Sequence, residues 1–175
     1  MRRFLLSLAG ILGVTVMAIA ADKVEEGKPA PLVELSAASK TKGAKVNLAD
    51  FKGKKNVVLF FYPKAMTGGW TKESCGFSGL AEKFAALDTV VFGISTDTLE
   101  LQQKFVEKEK LEIPLLADPE KKVTTAFGAL SKSGLVASRY TYVIDKEGVV
   151  KKIYTSVKPD AHPQEVLDYI QANLK

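Results

Sequence analysis

Two side chains of this 175-residue chain stand out for the chemistry that they could do, Cys75 and Arg139. Cys75 is the only cysteine, so it either pairs with another molecule, stays a free thiol or is buried and unreactive. Arg139 is the only arginine after residue 3, in a chain with 22 lysines. Because a guanidinium offers a planar fork of donors, we expect Arg139 to hold an anion in a site rather than pair with a carboxylate such as Asp145.

The segment that leads to Cys75 lies between an apolar run and a helical stretch. It reads Phe-Tyr-Pro-Lys-Ala-Met-Thr-Gly-Gly-Trp-Thr-Lys-Glu-Ser-Cys over residues 61–75. The pattern Pro-x-x-x-Thr-x-x-Cys at such a junction resembles the active-site loop of peroxiredoxins, the alkyl hydroperoxide reductase and thiol-specific antioxidant superfamily. Pro63 and Thr67 match that pattern, and Trp70 stands at the position of the peroxidatic cysteine. Cys75 has the spacing of the resolving cysteine in the peroxiredoxin Q or bacterioferritin-comigratory-protein subgroup.

The resemblance covers most of the chain after its first 20 residues. It rests further on four segments, residues 27–35, 46–54, 91–97 and 139–145, the last of which resembles the strand that carries the family's active-site arginine. Two departures stand beside it. Ser78-Gly79 replaces an Arg-Asp pair that is common in the subgroup, and Gly68 replaces a frequent proline.

The resemblance implies a thiol-dependent peroxidase site. A thiolate at position 70, at a helix N-terminus, would attack the peroxide, with Thr67 orienting it and Arg139 holding the developing charge. Pro63 would fix the loop, and Cys75 would resolve the sulfenic acid to a disulfide. An indole forms no sulfenate, so Trp70 as written removes the first step.

Three hypotheses for Trp70 follow. In the first, Trp70 is not the native residue, because UGA lies between the cysteine and tryptophan codons and is read as selenocysteine in some genomes. In the second, Cys75 alone keeps a redox role, with its pKa lowered by Lys72. In the third, the chain is an inactive, partner-binding domain in which Cys75 is buried. Glu73 either braces Arg139 or is a carboxylate on the helix surface.

The elements around this segment predict an α/β domain with a thioredoxin-like fold, a central mixed sheet flanked by helices. Apolar and β-branched runs predict strands, amphipathic spacing predicts helices, and an Asp-Lys-Glu-Gly turn over residues 145–148 predicts a hairpin. The strands are expected at 56–62, 89–95, 113–116, 138–144 and 149–155, and the helices at 71–87, 98–110, 120–127 and 163–174.

The first 20 residues read as a secretory signal peptide, with Arg2 and Arg3 before an apolar run and a small-x-small cleavage site. The alternative is an uncleaved membrane anchor. Residues 21–175 are then one exported, periplasmic or extracellular peroxiredoxin-like domain. Without Arg2 and Arg3 the formal net charge falls from +5 to +3. The sequence has no basic stripe interleaved with aromatic residues, so nucleic-acid binding is not expected.

No cofactor or metal site is expected, because no His, Cys or carboxylate cluster has ligand spacing. His162, the only histidine, is predicted to be a solvated neighbour of a helix cap. The resemblance implies a peroxide substrate, a thioredoxin-like reductant and a monomer, with no membrane contact after signal cleavage.

Overall fold

The computed structural model describes residues 24–39, 43–66 and 68–174, and for Trp70 the backbone alone. The predicted signal peptide and Thr67 lie outside these residues. Within the described ranges, seven strands and five α-helices follow one another, with a short 3-10 helix at Leu48–Phe51. The strands are β1 Glu34–Ala38, β2 Ala44–Asn47, β3 Asn56–Phe61, β4 Thr89–Ser95, β5 Leu115–Ala117, β6 Thr141–Ile144 and β7 Val150–Tyr154; the helices are α1 Gly68–Gly79, α2 Ala81–Ala86, α3 Leu99–Glu109, α4 Lys122–Ala126 and α5 His162–Asn173.

The strands form one mixed sheet in the order β2-β1-β5-β4-β3-β6-β7. The three central strands β5, β4 and β3 are parallel, and β6 pairs with β3 in the antiparallel sense. Phe60 lies opposite Thr141 in that pairing, so the start of β6 meets the end of β3 at one edge of the sheet. The fold class predicted from the sequence is confirmed.

Strand β3 is buried over its whole length because helices or loops cover both faces of the sheet. Its alternate residues enter two different cores. Val58 and Phe60 pack with residues of α1, α2, α3 and α5, whereas Val57 and Leu59 pack on the other side with α4 and the 3-10 helix. Gly93 in β4 has no room for a side chain, since an added Cβ would lie 2.6 Å from the Phe60 ring.

Most predicted elements are confirmed, with shifted ends. Strand β4 has the predicted bounds, and α3 is capped by Thr98, whose hydroxyl accepts from the Leu101 N–H at 3.3 Å. The long helix predicted at 71–87 is wrong in two respects, because α1 begins at Gly68 and the chain breaks at Leu80 before α2. Strand β5 begins two residues later than predicted, and β6 three residues later.

The edge hairpin of β1 and β2 has no counterpart in the predicted elements. It pairs through β1 with β5 and extends the sheet by two strands. Within the described part of the chain, no helix has the length and apolarity needed to cross a membrane.

Candidate active site

The candidate site lies at the sheet edge where β3 ends and α1 begins. Residues 62–67 connect the two, and α1 starts at Gly68, so position 70 lies in the first helical turn. Arg139 precedes β6 by two residues, and the neighbouring Tyr140 carbonyl accepts from the Phe61 N–H at 2.7 Å. That bond brings the segment of Arg139 to the end of β3, where the sequence predicted it.

Glu73 lies one turn after position 70 and is only 1% exposed. In a helix, residues three apart share a face, so Glu73 projects from the same side of α1 as position 70. Its Oε2 has no hydrogen-bond partner among the described residues. Burial raises the pKa of Glu73 to about 7, although the Arg139 guanidinium lowers it. The alternative of a surface carboxylate is wrong.

Arg139 and Glu73 therefore lie close enough for their charges to interact. Arg139 is itself solvent-exposed. Asp145, the alternative carboxylate partner, instead accepts from the Val149 N–H at 2.8 Å and pairs with Lys151 at 3.8 Å. The candidate site therefore combines an exposed arginine with a buried carboxylate.

Cys75 lies in the same helix but outside this face. Five residues correspond to a rise of about 7.5 Å and a rotation of about 140° from position 70. The thiol is half-buried against the first core cluster, and burial, with a smaller contribution from the Glu109 carboxylate, raises its pKa. Lys72, expected to lower that pKa, pairs with Asp160 at 3.6 Å. The expected activation of Cys75 is therefore wrong.

Pro63 is half-buried in the loop before α1, and its role in fixing the loop stays a prediction. The loop is tied to the core at Ala65, whose N–H donates to Asp97 Oδ2 at 2.7 Å. Sequence reasoning missed Asp97. The polar pair Ser95 and Asp97 directly after a buried strand was the available signal, because strand ends at this edge usually hold functional groups.

His162 is fully buried, so the prediction of a solvated cap neighbour is wrong. Its Nε2 lies 2.9 Å from Thr141 Oγ1, and its ring packs edge-on against Phe77 and Tyr154. Burial lowers its pKa, partly offset by Glu165. The ring joins α5 to α1 and to the sheet behind the site. No group of three His, Cys, Asp or Glu residues in the described ranges could hold a metal ion.

A mixed sheet of this order, with the segment of Arg139 beside the end of β3, has the thioredoxin-like fold of the peroxiredoxin class. The sequence model of the AhpC/TSA family matches residues 26–153, and the chain belongs to that family. It is 40% identical over 154 residues to peroxiredoxin Bcp of Bacillus subtilis, covering 85% of this chain and 96% of that protein. It is 39% identical over 152 residues to the chloroplastic peroxiredoxin Q of Sedum lineare, covering 86% and 80%.

A solved structure gives the same result. The crystal structure of peroxidoxin BcpB from Mycobacterium tuberculosis superposes with a TM-score of 0.78 at 35% identity, covering 87% of this chain and 99% of that one. The resemblance to the bacterioferritin-comigratory-protein and peroxiredoxin Q group is thus confirmed.

Proposed function

We propose that this site is built for thiol-dependent reduction of peroxides, with a cysteine or selenocysteine at position 70 in the active polypeptide. The chain with Trp70 then lacks the nucleophile and does not reduce peroxides. The observation that carries the proposal is the buried Glu73, whose charge interacts with that of Arg139. Burying a carboxylate away from water costs folding free energy. A site in which the arginine had no function would not need such a carboxylate beside it.

The reaction assigns a role to each residue. The thiolate at position 70 attacks one peroxide oxygen, the O–O bond breaks, and the alkoxide or hydroxide leaves and takes a proton from water. Arg139 and the Thr67 hydroxyl stabilise the charge that moves onto the leaving oxygen. The sulfur is left as a sulfenic acid. Glu73 holds Arg139 from behind and keeps its fork aimed at the oxygens.

Cys75 then resolves the sulfenic acid by attacking its sulfur, which forms a disulfide and releases water. In the intact helix the Cα atoms of positions 70 and 75 are about 8.6 Å apart. A disulfide needs roughly 4.4–6.8 Å, so α1 has to unwind locally for this step. Its two N-terminal glycines, Gly68 and Gly69, make that turn easier to open than an ordinary helix start.

A second candidate function is a peroxiredoxin-fold protein without peroxidase activity, which binds a partner. The observation that favours it is the written residue, Trp70, together with the raised pKa of Cys75. A half-buried thiol of raised pKa is a poor nucleophile, so the same observation weighs against a redox role for Cys75 alone.

The cellular setting is proposed on the same basis. The first 20 residues support export, and an exported peroxidase takes electrons from a thioredoxin-like dithiol outside the cytoplasm. Family membership supports peroxide substrates, and the subgroup resemblance supports a monomer.

Two measurements test the proposal. The mass of the peptide over residues 67–72, from protein of the native source after alkylation, should be that of cysteine or selenocysteine at position 70. Recombinant Trp70→Cys protein should consume hydrogen peroxide with a thioredoxin-like donor, and Trp70→Ser, the matched control, should not. Tryptophan in the native peptide together with an inactive Trp70→Cys protein would favour the second candidate.

A further inference from the structure

The loop beside the site is fastened to the core at one backbone atom. The Ala65 N–H donates to Asp97 Oδ2 at 2.7 Å, and the Ala65 side chain is buried. The next residue, Met66, has a φ of 58°, in the left-handed region that residues other than glycine rarely adopt. Such a conformation persists only where its surroundings hold it. The bond to Asp97 is the hold that the structure provides one residue earlier.

Asp97 is itself held by a chain of buried hydrogen bonds. The Ser95 hydroxyl donates to Asp97 Oδ2 at 2.8 Å and accepts from Gln102 Nε2 at 2.8 Å. The Tyr62 hydroxyl donates to Gln102 Oε1, and Gln102 Nε2 also donates to the Leu116 carbonyl at 3.2 Å. Tyr62, Ser95 and Gln102 are each fully buried.

The direction of these bonds is the same throughout. Tyr62 donates to Gln102, Gln102 donates to Ser95, and Ser95 donates to Asp97, which also receives the Ala65 N–H. An aspartate carboxylate only accepts hydrogen bonds, so it can end such a chain. A hydroxyl or an amide both accepts and donates and would need a further acceptor. In a dry interior each bond polarises the next, so the network acts as a unit.

The network connects the three elements that must stay in register for the site to work. Tyr62 follows β3, Ser95 ends β4, and Gln102 lies on the buried side of α3. All three converge below the loop that enters α1. A shift of Ala65 would move the start of α1, and with it position 70 relative to Arg139.

We propose that Asp97 is a positioning residue of the peroxide site. Its carboxylate holds the Ala65 amide and so fixes residues 63–66 and the start of α1, without touching the peroxide. The inference rests on the proposed function for its catalytic consequence, although its effect on the loop can be measured in the chain as written.

The first experiment uses the Trp70 chain and measures amide hydrogen exchange at Ala65 by NMR. Asp97→Ala should speed exchange there by about tenfold or more, since a hydrogen bond to a charged group is lost. Asp97→Asn, which keeps the shape and an acceptor oxygen, should have a smaller effect. Asp50→Asn on the exposed 3-10 helix is the matched control and should change nothing. Exchange at Ala65 that is unchanged in folded Asp97→Ala and Asp97→Asn would overturn the inference.

The second experiment uses protein that carries Trp70→Cys together with Cys75→Ser, so that both reagents report on the thiol at position 70. In the Asp97→Ala background the rate constant with hydrogen peroxide should fall roughly ten- to a hundredfold, and with Asp97→Asn it should fall less, because peroxide must be oriented by the loop and Arg139. Alkylation by iodoacetamide needs no such orientation, so its rate should change less than about threefold. A change of about threefold corresponds to well under 1.36 kcal/mol of activation free energy, which would be tenfold in rate. A merely structural role would alter both rates together and lower the unfolding midpoint.

The outcomes separate the two proposals. An inactive Trp70→Cys protein that shows faster Ala65 exchange on substitution of Asp97 contradicts the proposed peroxidase and leaves Asp97 as the loop anchor. An active Trp70→Cys protein whose peroxide rate is the same with Asp97→Ala contradicts the positioning role and leaves the peroxidase.

Discussion

Replacing Glu73 with Gln is expected to stabilise the protein above pH 7 and to leave its stability nearly unchanged at pH 5. Glu73 is 1% exposed, and its Oε2 has no hydrogen-bond partner in the described part of the chain. At pH 5 the parent side chain is protonated and neutral, much like an amide. At pH 8 it is a buried carboxylate with Arg139 as its compensating charge, and glutamine removes that cost.

The sign and size follow from the pKa. Burial raises the pKa of Glu73 from 4.5 to about 7. Between these two pH values the folded state keeps the Glu73 proton, whereas the unfolded state has already lost it. The contribution of Glu73 to stability is then largest below pH 4.5 and is lost as the pH rises toward about 7. A difference of this size corresponds to about 3 kcal/mol, at 1.36 kcal/mol for each pKa unit. Glu73→Gln should recover most of it at pH 8.

The assay is urea unfolding of parent and variant at pH 5, 6, 7 and 8, with the difference in unfolding free energy plotted against pH. Taking the difference removes titrations common to both proteins. Glu82→Gln on the exposed side of α2 is the control and should give a flat, near-zero difference. A Glu73→Gln difference that does not grow with pH, or a variant less stable than the parent at pH 8, would refute the reasoning.

The other predictions concern the core and the thiol. Burial lowers the pKa of His162, so the unfolded state takes up the proton first as the pH falls below about 6.5, and the parent loses stability there. His162→Gln should reduce this loss, and urea unfolding at pH 5 and 7 will measure it. Cys75 should react with iodoacetamide at pH 8 more slowly than a free thiol and reach the free rate in urea; a fast folded-state reaction would contradict its raised pKa. Gly93→Ala should destabilise by about 1–3 kcal/mol, since its Cβ would lie 2.6 Å from Phe60 and 2.7 Å from Leu115.

The central elements were predictable because their signals are local. Strand β3 is a continuous apolar run, and Thr98 is a typical N-cap residue at the start of α3. The break at Leu80 was not predictable, because apolar spacing from Phe77 through Leu87 continues across it as in one helix. The β1–β2 hairpin was missed because its strands are short and half-exposed, so that the apolar residues show neither the strand period of two nor the helix period of about 3.6 clearly.

The candidate site divides in the same way. The resemblance of the loop to the peroxiredoxin motif predicted a role for Pro63, and the isolated arginine predicted one for Arg139. The burial of Glu73 and His162 depends on how α1, α5 and the sheet pack together, and no local pattern carries that information. The bond from Ala65 to Asp97 joins residues 32 apart and exists only once β3 and β4 are paired.

The measurement that tests the central claim most directly is the rate constant of Trp70→Cys protein with hydrogen peroxide at pH 7, compared with free cysteine. If the pocket around position 70 is an intact peroxidase site, oriented donors should make this thiol react at least about a thousandfold faster. Arg139→Ala in the same background should remove most of that gain. A Trp70→Cys thiol that reacts no faster than free cysteine would show that the site has lost more than its nucleophile, and would contradict the account.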